Sequence, residues 1–193
     1  MWSTRPYAGA VRSAVVQSKD ADRRDLLAVL APLLADALVA AIDADTGARA
    51  LLSAGNGPVF VVPVPSSGSS VRRRGDAVPH TLLSRALVCA AFAPHEAVFA
   101  PALRVRRRVA DQAGLSHQDR AANLDHALEV RAPWRASVSG TCCLLADDVL
   151  TTGATLDEAA RALRAAGAGH VLGATIAATA RHGAGRRVTT GRR

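Results

Sequence analysis

Residues 144–156 read Leu-Leu-Ala-Asp-Asp-Val-Leu-Thr-Thr-Gly-Ala-Thr-Leu, and no other stretch limits the fold so tightly. The apolar run at 142–146 has the composition of a strand buried on both faces. Two adjacent carboxylates, Asp147 and Asp148, stand at its carboxyl end. A short loop of Thr151, Thr152 and Gly153 follows. Leu156, Ala159, Ala160 and Leu163 then recur at helical spacing over 155–166, and Gly167 supplies a stop. Strand, short loop and helix form the unit that builds parallel sheets, and in such sheets ligands sit beyond the carboxyl ends of the strands. The helix start presents unpaired N–H groups and the positive end of its dipole, which suits a phosphate. Gly153 lets the backbone approach closely, while Thr151, Thr152 and Thr155, with Ala154 between them, complete the loop. Asp147 and Asp148 are placed to accept hydrogen bonds from sugar hydroxyls, so one loop would grip both ends of a ribose 5-phosphate. The plainer alternative is a solvated Asp-Asp turn with Thr155 as a helix N-cap.

The rest of the chain alternates in the same way. A helix is expected over 21–42, with Asp20 or Asp22 as N-cap, then a loop at 53–58 and a β-branched strand at 59–64. A loop of small polar residues at 65–70 precedes a helix at 79–93 and a strand at 97–103. Residues 104–141 are polar and Arg-rich, with short helical stretches near 116–128, and read as an excursion from the main fold. A last strand is expected at 171–177. The expectation is an α/β fold, a parallel sheet flanked by helices. A helical segment, 1–56, packs on a core spanning 57–181, and 182–193 form a mobile tail. No GxxxxGK[ST] loop is present, and no GxGxxG follows a strand, so the usual nucleoside-triphosphate and dinucleotide fingerprints are missing.

The 193 residues carry a formal net charge of +8, and Lys19 is the only lysine. Arginine holds phosphates and carboxylates through a planar fork, so anionic ligands fit the composition. Aromatics are only 3%, too few for a base-stacking platform. Cys89, Cys142 and Cys143 include no CxxC and read as small core hydrophobes. The histidines show no ligand spacing, and no metal-ligating residues are assigned. The most apolar run, 26–42, contains Pro32 and a central Asp36 that costs about 2.5–3.5 kcal/mol on insertion scales. It reads as a core helix, whole or broken at Pro32. With no apolar leader in the first twenty residues, a cytoplasmic protein without membrane contact is expected.

The run DDVLTTGAT resembles the phosphoribosyl-diphosphate (PRPP) signature of type I phosphoribosyltransferases. Val62-Pro63-Val64-Pro65 with the Arg-rich loop ending at Arg74-Gly75 is similar to the ComF family. So are Gln112, Leu115, Ser116, Arg120 and Asn123 in the excursion, and Tyr7, Gly9, Val11, Arg12 and Lys19 ahead of the core. The chain departs from that family at Ala146, at Asp76-Ala77-Val78 and at Val109, and it lacks the cysteine-rich zinc module with which many members begin.

The resemblance implies a type I phosphoribosyltransferase fold in which 104–141 form a hood or flap. Asp147 and Asp148 would hold the ribose of PRPP, and residues 151–155 its 5-phosphate. Ser66, Ser67 and Arg74 would contact pyrophosphate, and Arg107, Arg108 and Gln112 would belong to the flap. Mg²⁺ would be bound mainly through PRPP. The implied reaction transfers ribose 5-phosphate to a base, an amine or ammonia with release of pyrophosphate; the catalytic residue is not identified. Trp2 stands where a glutamine-dependent amidotransferase needs an N-terminal cysteine, so that version is not expected. The alternative is a non-catalytic PRPP or nucleotide sensor, or a DNA-uptake (competence) accessory. Nucleic acid and a second copy of the chain remain on the list of partners.

Overall fold

The computed structural model describes residues 1–20, 23–55, 57–65, 78–93, 95–106 and 125–179. Its centre is a five-stranded, all-parallel sheet with helices on both faces, the α/β architecture expected and one consistent with a type I phosphoribosyltransferase-like fold. The strands are β1 (Trp2–Pro6), β2 (Val59–Pro63), β3 (Ala97–Phe99), β6 (Cys142–Leu150) and β7 (His170–Ala178), in the order β1-β7-β6-β2-β3. A separate antiparallel pair, β4 (Leu103–Val105) and β5 (Leu128–Val130), closes the two ends of the excursion, where Arg106 N–H donates to Ala127 O at 2.8 Å.

Burial on both faces explains why β6 as far as Ala146 and most of β7 beyond His170 are apolar. One face carries α1 (Gly9–Asp20), α2 (Leu27–Ala44) and α4 (Val78–Ala90); here Leu144, Ala146 and Ile176 meet Leu30, Leu34, Leu38 and Leu83. On the other face α6 (Ala154–Ala165) and the β4–β5 pair cover Val62, Cys143 and Leu145. Two shorter helices, α3 (Thr46–Ser53) and α5 (Arg135–Val138), complete the set among the described residues.

Several boundaries differ from the sequence reading, each for a physical reason. The segment 1–56 is not wholly helical: β1 extends the sheet beyond β7, an assignment its polar sequence WSTRP did not suggest. Thr4 Oγ1 fastens it, donating to Leu33 O at 3.2 Å or to Ile176 O at 3.1 Å. The helix expected at 21–42 is instead a 3₁₀ turn, Arg24–Leu26, running into α2, and α1 precedes both. Pro32 does not break α2, because the Ala28 carbonyl it leaves unpaired lies on the exposed side of the helix. The strand expected at 97–103 is two strands in different sheets, separated at Pro101. Among the described residues of 116–128, Leu128 begins a strand. The helix expected at 79–93 stops at Ala90, and Ala91 turns the chain with φ +53°. Cys89 is exposed, whereas Cys142 and Cys143 are buried as expected, their thiols pushed up by burial to about 11 and about 12.

Arg24–Ala44 is long and apolar enough to cross a bilayer, with mean hydropathy 2.1, but half of it is buried inside this fold as a core helix. The expected tail, 182–193, lies outside the described residues.

One buried charge ties the excursion to the core. Glu158 of α6 is only 7% exposed; it accepts the Leu128 N–H at 2.9 Å and is clasped by Arg161 at 2.6 Å. Burial alone would raise its pKa, but these donors hold it below the ordinary carboxylate value. Glu158→Ala would leave the Leu128 amide without its acceptor. The expected loss is about 2–4 kcal/mol in chemical denaturation, with faster hydrogen exchange at Leu128 than elsewhere in the core.

Candidate functional site

The acidic pair belongs to β6 itself. The strand continues past Ala146 to Leu150, and Asp147 pairs with Thr175 of β7. Side chains on a strand alternate between faces, yet Ala146 and Val149 both pack on the α2 side. The alternation therefore reverses at Asp147–Asp148, and both carboxylates line one small pocket on the α1–α2–α4 side, with Ser18, Leu30 and Pro79. This differs from a solvated turn: the Asp148 side chain is 12% exposed and Asp147 is half-buried.

Two adjacent carboxylates in an aliphatic pocket require compensation. Lys19, from the last turn of α1, supplies it through an ion pair with Asp148. The Asp148 N–H also donates to Asp147 Oδ1 at 2.9 Å. These contacts only partly offset burial and the neighbouring carboxylate, which together push Asp147 up to about 7.

Beyond Leu150 the chain turns through Thr151 and Thr152 into α6. Gly153 is the N-cap, in the left-handed region at φ +84°. A side chain there would be strained, which is the conformational reason for glycine at this point. Thr152 Oγ1 accepts the Ala154 N–H at 3.3 Å, and Asp157 N–H makes the first helical bond, to Gly153 O at 2.8 Å. The N–H groups of Thr155 and Leu156 are left at the open end of the helix. Thr155 lies inside the first turn and is not the cap. Thr179 braces the loop from β7, its hydroxyl within 3.3 Å of both the Leu150 and the Thr151 carbonyl oxygens.

The fold thus brings Asp147, Asp148, Thr151, Thr152, Gly153, Ala154 and Thr155 together at the carboxyl end of the central strand. The chain leaves β2 beside them, where Val64 N–H donates to Ala146 O at 3.0 Å. Ser66, Ser67 and Arg74, which follow, lie outside the described residues, as do Arg107, Arg108 and Gln112. Lys19 is the site residue that spacing could not reveal: 128 positions separate it from its nearer carboxylate neighbour, Asp147, in the chain (147 − 19). Its signal was chemical, a single lysine among arginines.

A larger cleft of about 630 Å³ lies on the α6 side of β7, with Trp2, Asp45, Arg164 and His170 in its lining. The pair Asp45–His170 there, at 2.8 Å, fastens the end of α2 to the start of β7; no histidine had been given a role from sequence. None of the residues singled out for ligand binding is in that cleft. No protein-family model and no curated protein matches the chain.

Asparagine substitutions separate the two carboxylates. The folded-state pKa of Asp147 is raised from 3.8 to about 7, so its contribution to stability is full below the lower value and is lost as pH rises through the higher one. Asp147→Asn should therefore gain thermal stability relative to the unsubstituted chain between pH 5 and pH 8, by roughly 2–4 °C per kcal/mol relieved. Asp148→Asn should be less stable at pH 5 by about 1–3 kcal/mol, because Lys19 loses its carboxylate. Thermal melts across that range check both.

Proposed function

We propose that the chain is a PRPP-dependent phosphoribosyltransferase of the ComF type. The observation that carries the reading is the acidic pair on β6, followed by a threonine–glycine loop that opens α6 through a left-handed Gly153. In this reading the carboxylates receive the ribose hydroxyls. The loop amides and threonine hydroxyls receive the 5-phosphate, with the helix dipole favouring its charge. Ser66, Ser67 and Arg74 are assigned to pyrophosphate, and Arg107, Arg108 and Gln112 to the flap, on the resemblance alone.

The reaction is a displacement at ribose C1. The bond from C1 to the pyrophosphate oxygen breaks, and pyrophosphate leaves with the electron pair. The acceptor's nitrogen lone pair forms the new bond to C1, and the nitrogen then gives up its proton. The protein's share is to fix the sugar at two points, aim C1 at the acceptor and exclude water. No covalent intermediate with the enzyme is needed.

Among the described residues no group of three His, Cys, Asp or Glu side chains could hold a metal, and Asp148 is already paired with Lys19. Mg²⁺ is assigned to the oxygens of PRPP on the resemblance, with Asp147 and Asp148 left to the sugar. When bound, the ion would share the charge of the departing pyrophosphate. The acceptor is a base, an amine or ammonia, and the compartment is the cytoplasm.

Calorimetry with PRPP tests the reading. Binding is expected with Mg²⁺ and should weaken sharply in EDTA; equal affinity in both would count against it. Asp147→Asn and Asp148→Asn should each weaken binding about 10–150-fold. Pyrophosphate release with a panel of bases and amines supports a transferase, whereas binding without turnover makes the chain a PRPP sensor.

A further inference from the structure

The first twenty residues do more than cover the sheet. β1 runs parallel to β7 at the sheet edge, with Pro6 in register with Ala178, and Tyr7 N–H donates to Ala178 O at 2.8 Å. The chain therefore enters α1 at the carboxyl end of the sheet, where the phosphate loop also begins. α1 then returns its last turn to the acidic pair, placing Ser18 in the pocket wall and the Lys19 ammonium on Asp148.

The charges at this point do not cancel. Asp147 and Asp148 face each other on β6, and α1 contributes Lys19. The pocket linings from α2 and α4, among them Leu30, Leu34, Pro79 and Leu82, add no titratable group. Among the described residues one ammonium thus stands against two carboxyl groups, and the second carboxyl group takes a proton or a ligand's hydroxyl.

We propose that Lys19 is a positioning residue of the sugar site: from α1 it pairs with Asp148, leaving Asp147 as the group at which a proton and a ligand hydroxyl compete. The inference rests on the reading of the acidic pair as a sugar-diol site and names what regulates it. Lys19 sets the pH at which the ligand displaces the proton. The rise of Asp147 to about 7 agrees with this arrangement and places the competition in the neutral range.

The test uses the full chain with Lys19→Met, Lys19→Gln and Lys19→Arg. NMR of the Asp147 and Asp148 carboxyl carbons follows their titration without ligand, and calorimetry measures the affinity for ribose 5-phosphate across the neutral range. Without the ammonium, in Met or Gln, the proton should leave the pair at a pH higher by about 1–3 units. Affinity at neutral pH should fall about tenfold or more and return under alkaline conditions. Lys19→Arg should keep both profiles near those of the unsubstituted chain. Gln retains a hydrogen-bond donor, so it serves where Met does not fold.

An unchanged carboxyl titration in Met and Gln would overturn the proposal. So would an affinity loss of the same size at every pH, which is the mark of a merely structural lysine. If the unsubstituted chain binds no ribose 5-phosphate, the sugar-site reading fails, and the carboxyl titration still decides whether Lys19 governs the pair.

Discussion

Two carboxylates side by side in an aliphatic pocket are unstable unless something compensates them, and much of this structure is arranged around that constraint. Desolvation of a charge in such a place costs several kcal/mol and is recovered only through a close partner or a bound proton. Here Lys19 pairs with Asp148, while burial and the neighbouring carboxylate push Asp147 up to about 7. The same reversal of strand alternation that puts both side chains in one pocket makes them neighbours, so recruiting the pair and compensating it are a single problem.

The solution depends on chain topology. A lysine reaches the end of β6 because β1 adds to the far edge of the sheet, parallel to β7, and delivers α1 to the carboxyl end. Were β1 absent, α1 would lack the hydrogen bond at Tyr7 that fixes its starting point. The β4–β5 pair depends on a similar device on the opposite face. Glu158 accepts an amide from β5 and is held ionised by Arg161, so the base of the excursion is anchored to the helix that opens at Gly153. Both faces of the sheet thus carry one compensated acidic residue that fastens a peripheral element to the site.

The proposed chemistry draws on this rigidity. Displacement at an anomeric carbon needs the sugar held at two separated points, and in the proposed reading β6 with its loop would supply both within one continuous stretch of chain. Positioning of that kind lowers a barrier without any nucleophile on the protein. Cys142 and Cys143 are given no part in it, their thiols kept protonated at neutral pH by burial.

Legibility from sequence tracked how local each determinant is. The central strand as far as Ala146, the turn after it and α6 could be read directly, because apolar run, Thr-Thr-Gly and helical spacing lie within 144–163; the continuation of β6 through the acidic pair to Leu150 could not. The parallel α/β class followed from the alternation of such segments. β1 escaped notice because WSTRP has no strand pattern; its conformation comes from pairing with β7. The 97–103 run split because Pro101 separates two strands that join different sheets, which depends on what each strand finds to pair with. The continuity of α2 through Pro32 rests on a carbonyl that faces outward, something only packing decides. The sequence by itself determined that two carboxylates precede a threonine–glycine turn into a helix. Only the tertiary structure decided that they line one pocket and that Lys19 pairs with Asp148, because ion pairing across 129 residues of chain (148 − 19) is set by strand order and not by spacing.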